Sequence, residues 1–420
     1  MGKLHFDHFV LRVVLFSLIL LPPVSIIPGL PALRLDDLVL LGWLLLVVTA
    51  GAGHGVDWRG SGRIWMLGLL VFLFPISVMN GLFYGYETSF GDFNQLVRFA
   101  KYIAIYLLAF QVFYKSDPDS AEKLFRFVLV CGFFLFLIAV SQYMDFFGLN
   151  QYYIRTVAPT QYHTLVNDYP NPRPVGMLGN PNELGFLFVL LAQLSFFLIF
   201  YYQKKRFFFP LVVFFLGILI TMSRTSFFSF LFGIFLFVFV YLIYLQFSRK
   251  LKLGLFFFGI FGVLLSIAVM PPVYEAFTWR IEKVFHLSTE KSYQSRLDNW
   301  SENIAIIKKH PILGVGPLRR ASFEHAADNE WLLMLRSYGI FGVGMMILLC
   351  SWGVFRPGDI LAKAFQAGLA GASFVYMIPL AVFHSLSLFP LLLFLLAFID
   401  TRLSIPGNTG RKYVFVPEEK

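Results

Sequence analysis

Apolar stretches about as long as a bilayer is thick recur along this chain, and nothing else in it limits the fold as strongly. A helix needs roughly 17 to 25 mostly apolar residues to cross the hydrocarbon core. Twelve stretches read as spans, near 9–27, 35–50, 64–84, 95–114, 123–145, 183–202, 207–222, 225–247, 253–271, 329–353, 365–384 and 386–400. The last two are separated by a short turn around His384 to Ser387. Backbone groups in lipid must be satisfied within the segment, which favours helices. The expected fold is therefore all-α: a single polytopic membrane domain over residues 1–420 with about 12 transmembrane helices. Composition agrees, with 58% hydrophobic and 14% charged residues, where a soluble domain carries roughly 25% charge. The first run lacks a small-residue cleavage pattern and reads as a retained span. Cys131 and Cys350 sit inside apolar runs and read as packed small hydrophobes.

Lysine and arginine set the expected orientation. With the N-terminus inside, the cytoplasmic connections hold Arg59, Arg63, Lys115, Lys123, Lys204, Lys205, Arg206, Arg249, Lys250, Lys252, Arg356 and Lys363, and the tail adds Arg402, Arg411 and Lys412. The short outer connections hold Arg34, Arg155, Arg173 and Arg224. That is the positive-inside pattern, with both termini cytoplasmic. Topology and contact with anionic membrane lipid account for much of the net charge of +10, which needs no nucleic acid. Two outer segments exceed a turn, 146–182 and 273–328, and the second holds eight Lys and Arg, as long translocated loops can. Within it, YQSRLDNWSENIAIIKKHP places Leu297, Trp300, Ile304 and Ile307 on one helical face. Pro311 and the GVGP after it end that amphipathic helix.

Charges inside spans are costly and mark a partner or a function. Arg98 and Lys101 lie roughly 6 to 10 Å below the outer surface by helical rise, and Arg336 lies at a similar depth. Arg224 is at the outer turn TMSRTS, and Arg173 and Arg296 are in the outer loops. One arginine near a helix end ordinarily snorkels to the headgroups. Six cations at one level suggest a basic cavity for a phosphate-bearing lipid. Acid and base candidates stand in EHAADNEWLL. Asp328 and Glu330 also suit capping and the helix dipole, and His325 suits a general base. His163, His286 and His310 are weaker candidates. No His and Cys spacing suggests a metal site, and no phosphate-binding loop, dinucleotide fingerprint or nucleophile elbow occurs. GNPNELG reads as a helix start, with Asn180 as N-cap, Pro181 first in the helix and Glu183 closing a capping box. Asn180 and Asn182 would then face the proposed anion, along the helix dipole.

PRPVGMLGNPNELG, TMSRTSFF, SRLDNW…KKHPILGVGP and HAADNEWLLMLRSYGIFGVG resemble, in this order, blocks shared by bacterial O-antigen polymerases and O-antigen ligases. The likeness is best over 180–344. It implies a GT-C-like enzyme of the bacterial inner membrane with its active site facing the periplasm. The donor would be an undecaprenyl diphosphate-linked oligosaccharide. The acceptor would be a second lipid-linked repeat unit for a polymerase, or lipid A–core for a ligase. Transfer would be inverting, with no metal or other cofactor, and a chain-length regulator is an expected partner. Carried over, the motif residues are Arg173, Arg224, Arg296 and His325. Ligases usually pair histidine with asparagine in the last block, and HAADNE departs from this, which tilts the reading toward polymerase and leaves His325, Asp328 and Glu330 as alternative bases. Guanidiniums would stabilise charge growing on the diphosphate, with Arg224, Arg296 and Arg173 ahead of Arg98, Lys101 and Arg336. A lipid-linked oligosaccharide transporter is the rival from another class. Transporters tend to show repeated halves, and the outer loops 146–182 and 273–328 have no counterparts at corresponding positions.

Overall fold

The computed structural model describes residues 2–22, 34–49, 61–159, 162–167, 172–244, 291–318 and 329–404. Among these residues the chain is all-helical, with no strand. In chain order the helices are α1 (Gly2–Leu20), α2 (Leu35–Thr49), α3 (Gly62–Phe83), α4 (Phe90–Lys115), α5 (Pro118–Tyr143), the short α6 (Leu149–Val157) and α7 (Tyr162–Asn167), α8 (Pro181–Tyr202), α9 (Phe208–Ile220), α10 (Arg224–Tyr244), α11 (Lys291–Lys309), α12 (Glu330–Ser351), α13 (Ile360–Tyr376) and α14 (Leu388–Ser404). Six helical stretches are long and apolar enough to cross a membrane: Gly62–Phe83, Gly91–Lys115, Pro118–Tyr143, Pro181–Tyr202, Arg224–Tyr244 and Glu330–Phe355. The architecture is that of a polytopic membrane protein.

Two expected spans are displaced. The first helix runs 2–20 and not 9–27, because its polar start is satisfied inside the bundle. Asp7 accepts from Trp43 Nε1 at 3.1 Å and Gln111 Nε2 at 2.7 Å, and His8 Nε2 lies 2.7 Å from Ser116 Oγ. The stretch expected as 365–384 is helical over 360–376, and residues 377–387 are an irregular segment in place of the expected short turn. The span expected at 253–271 lies outside the described residues.

A helix apolar on every side belongs inside a bundle. So α8 and α14 are buried along nearly their whole length. Conversely, α3 turns Trp65, Phe72 and Met79 outward, and α10 does so with Phe228 and Phe232, as surfaces for lipid. Aromatic rings lock the interior. Phe186 of α8 stacks on Tyr376 of α13 with centroids 4.1 Å apart, and Phe197 stacks on Phe365 at 4.4 Å. Each such pair contributes about 0.5–1.5 kcal/mol beyond buried area. Helices α10 and α13 meet through small residues. A Cβ on Gly233 would come within 2.9 Å of the Gly368 carbonyl oxygen, so the contact depends on glycine as close membrane crossings commonly do.

Charges pin the two ends of the bundle. At one end, buried Glu122 of α5 meets Lys204 at 2.7 Å, Arg126 at 3.6 Å, and Arg206. At the same level Arg63, fully buried at the start of α3, pairs with Asp400 of α14 and donates to the Leu349 carbonyl at 2.8 Å. Tyr106 donates to the other Asp400 oxygen at 2.6 Å. Helices α2, α4, α8, α10, α12 and α14 all begin at the opposite end.

Removing Asp400 strands a buried guanidinium. Asp400→Ala should lower stability by about 3–5 kcal/mol, read as a fall in unfolding temperature in detergent. Asp400→Asn, which can still accept from Tyr106, should cost less. A loss in the alanine variant below about 1 kcal/mol would show that Arg63 does not depend on this partner.

Candidate functional site

The irregular segment 377–387 gathers the helix starts around it. Asn329 caps α12 by accepting from Leu332 N–H at 3.1 Å, so the cap expected of Asp328 is taken by its neighbour. Glu330 then points inward, completely buried. Its Oε2 accepts from Phe383 N–H at 2.7 Å, its Oε1 lies 2.7 Å from His384 Nδ1, and its own N–H donates to the Met377 carbonyl at 3.0 Å. Tyr102 of α4 donates to the Phe383 carbonyl at 2.5 Å. Ser385 Oγ donates to Glu183 of α8 at 3.0 Å. Arg34 reaches Ser387.

Glu183 was expected to close a capping box at the start of α8. Asn180 is the cap as expected, accepting from Asn182 N–H at 2.9 Å, but the Glu183 carboxylate turns to Ser385 across the bundle. Asn182 pairs with another candidate: its Oδ1 accepts from Arg173 Nη2 at 3.2 Å, while Arg173 Nε donates to the Thr221 carbonyl at 3.2 Å. The Asn182 carbonyl accepts from Ser226 Oγ at 3.2 Å, and Gly185 permits this approach, since a Cβ there would sit 2.6 Å from that hydroxyl. Arg224 is the first residue of α10, half-buried beside the same turn. Arg173, Asn180, Asn182 and Arg224 are thus brought to one place.

The remaining cations differ in their surroundings. Lys101 is tied to Asp36 and, at 2.7 Å, to Asp37. Arg34 Nε binds Asp36 at 3.0 Å, and Ser17 donates to the same oxygen at 2.7 Å. Charge at this end is therefore mixed, not the purely basic cavity that the six cations suggested. Arg336 Nη1 donates to Asn303 of α11 at 2.9 Å and Nη2 to the Pro317 carbonyl at 2.8 Å. Half-buried Arg98 has Nη1 shielded from solvent with no hydrogen-bond partner among the described residues. Its charge and that of Arg34 act on Glu183.

The segment after α11 is laid along a break in α12. Gly339 there has φ 63° and ψ −160°, a conformation open to glycine. Val315 N–H donates to the Arg336 carbonyl at 2.8 Å, Gly316 N–H to that of Ser337 at 3.0 Å, and Ile340 N–H to that of Pro311 at 2.9 Å. Asn80 Nδ2 donates to the Gly314 carbonyl at 2.6 Å. The motif GVGP thus straps α11 to α12 as well as ending it. His310 packs on Tyr84 and Tyr86, with centroids 4.3 and 5.6 Å away, and its burial, then the Lys309 charge, lower its pKa below the usual imidazole value. His163 is exposed on α7 beside Tyr162. His286, His325 and Asp328 lie outside the described residues, as does the side chain of Arg296, whose backbone is on α11. Among the described residues no group of three or more His, Cys, Asp or Glu is placed to hold a metal ion.

His384 is the residue that sequence reasoning missed. An outer histidine between the last two spans was legible from topology. Its carboxylate partner, 54 positions earlier, was not.

Residues 209–347 match the O-antigen ligase family, Wzy_C. The match runs from α9 into α12 and encloses Arg224, Arg296, His325, Asp328, Glu330 and Arg336. It bears out the resemblance to O-antigen polymerases and ligases and does not separate the two. The match supports a glycan-transferring enzyme. No curated protein matches the chain.

If Arg336 works as the clamp between α11 and α12, Arg336→Ala should free the strap. Amide hydrogen exchange across 311–318 should then rise by roughly tenfold or more, the equivalent of about 1.4 kcal/mol of local stability. Unchanged exchange would remove the clamp role and leave Arg336 to anion binding.

Proposed function

We propose that the protein is a polysaccharide polymerase of the bacterial inner membrane. It transfers a glycan from undecaprenyl diphosphate to a lipid-linked repeat unit at the periplasmic face, inverting the anomeric centre without a metal. The Wzy_C match over 209–347, enclosing Arg224 and Arg296, carries this reading. Arg173 and Asn182 beside Arg224, and Arg98 with an open buried nitrogen, support an anion site at the same end. A diphosphate is already a good leaving group, so the protein must chiefly stabilise its growing charge, and fixed guanidiniums do so without reorganising. Arg173, Arg224, Arg296 and Arg98 take this role. The attacking hydroxyl needs a proton acceptor, for which the sequence offers His325, Asp328 and Glu330.

The description of the matching family favours a second reading, an O-antigen ligase with lipid A–core as acceptor. Purified protein with lipid-linked repeat units alone separates the two. Growing glycan chains support the polymerase, and transfer only after lipid A–core is added supports the ligase. If neither outcome occurs, glycan transfer falls and the transporter becomes the reading to test.

Arg296→Ala should leave the protein inserted and abolish long chains. Arg98→Ala should lower turnover roughly 100-fold or more with little change in unfolding temperature. An unchanged chain-length distribution in both variants would count against the diphosphate site.

A further inference from the structure

We infer that His384, held by Glu330, takes the proton from the attacking sugar hydroxyl; this rests on the glycan-transfer reading above. Glu330 is fully buried, where an unpaired carboxylate is costly. Both its oxygens are committed, one to Phe383 N–H and one to His384 Nδ1, each at 2.7 Å. A carboxylate that only accepts would leave the ring proton on Nδ1 and the lone pair on Nε2. Nε2 has no hydrogen-bond partner among the described residues, and the side chain keeps 17% exposure. A ring with one nitrogen fixed by a buried acid and the other open is how a carboxylate orients an imidazole for proton abstraction. Helix capping does not call for Glu330, because Asn329 already caps α12.

The neighbours fit the same role. Ser385, next in the chain, bonds Glu183, and Arg98 with its open nitrogen acts on that carboxylate. In the step, the hydroxyl proton passes to His384 Nε2. The freed oxygen pair forms the bond to the anomeric carbon. The bond from that carbon to the phosphate oxygen breaks, and its pair leaves with the diphosphate. Glu330 balances the imidazolium, which afterwards gives its proton to water. Glu330 is a positioning residue, and His384 is the group that meets substrate.

The test uses the full-length protein in lipid discs with lipid-linked repeat units. His384→Gln should lower kcat roughly 10²- to 10⁴-fold with KM kept, and imidazole should restore part of the loss in His384→Ala. Glu330→Gln should act similarly. Its amide would donate to Nδ1, move the ring proton to Nε2 and remove the base, whereas a merely structural tie would tolerate the amide. Turnover of His384→Gln near wild type, or a loss confined to KM without imidazole rescue, overturns the assignment while glycan transfer stands. Wild-type protein that transfers to neither acceptor overturns glycan transfer itself. Nitrogen-15 histidine spectra need no turnover: neutral His384 should carry its proton on Nδ1 in the wild type and on Nε2 in Glu330→Gln. The Nε2 form in the wild type would refute the dyad whatever the activity.

Discussion

Eleven residues of irregular backbone, 377–387, interrupt a bundle of membrane helices, and the arrangement around them follows from that interruption. Lipid offers no hydrogen bonds, so non-helical backbone survives at membrane depth only when protein satisfies it or it lines a polar space. Here Glu330 takes the Phe383 N–H, Tyr102 serves the Phe383 carbonyl, and the Glu330 N–H serves the Met377 carbonyl. Ser385 and Ser387 add ties to Glu183 and Arg34. The groups that make the break tolerable are also those that bring α2, α4, α8 and α12 together. Stability of the segment and assembly of the site therefore have one physical origin.

The cations at this level divide into two kinds. Lys101 and Arg34 are compensated by Asp36 and Asp37, and Arg336 is spent on Asn303 and the Pro317 carbonyl. Arg98 keeps a shielded nitrogen without a hydrogen-bond partner among the described residues, and Arg173 and Arg224 flank the starts of α8 and α10. A count of positive charges from sequence cannot make this division, because it depends on which acids fold against which bases. Glu183 shows the difficulty well: local spacing assigns it to the helix cap, while its partner Ser385 is 202 positions away.

Much of the fold was legible. Apolar length marks spans because transfer into lipid depends on composition more than on neighbours, and the runs at 64–84, 123–145 and 183–202 became helices close to those bounds. What escaped was everything hydropathy does not encode. The run after Ile360 is apolar whether or not it is helical, so the end at Tyr376 left no mark. Asp7 and His8 lie just ahead of the apolar run that begins at Phe9, and their partners Trp43, Gln111 and Ser116 are far away in sequence. At the site, Arg173 and Asn182 were legible as motif neighbours, whereas Glu330 with His384 needed three dimensions.

The strap between α11 and α12 has a mechanical consequence. Helix α11 is held at Asn303 and, beyond its end, at Pro311, Val315 and Gly316. A helix tied this way has the geometry of a lever with its fulcrum toward the C-terminal end. Arg296 is then on the long arm, about 10 Å along the axis from Asn303 at 1.5 Å per residue. A tilt of about 10° about that fulcrum would carry its backbone roughly 2 Å sideways. A shift of that size is enough to make or break a hydrogen bond.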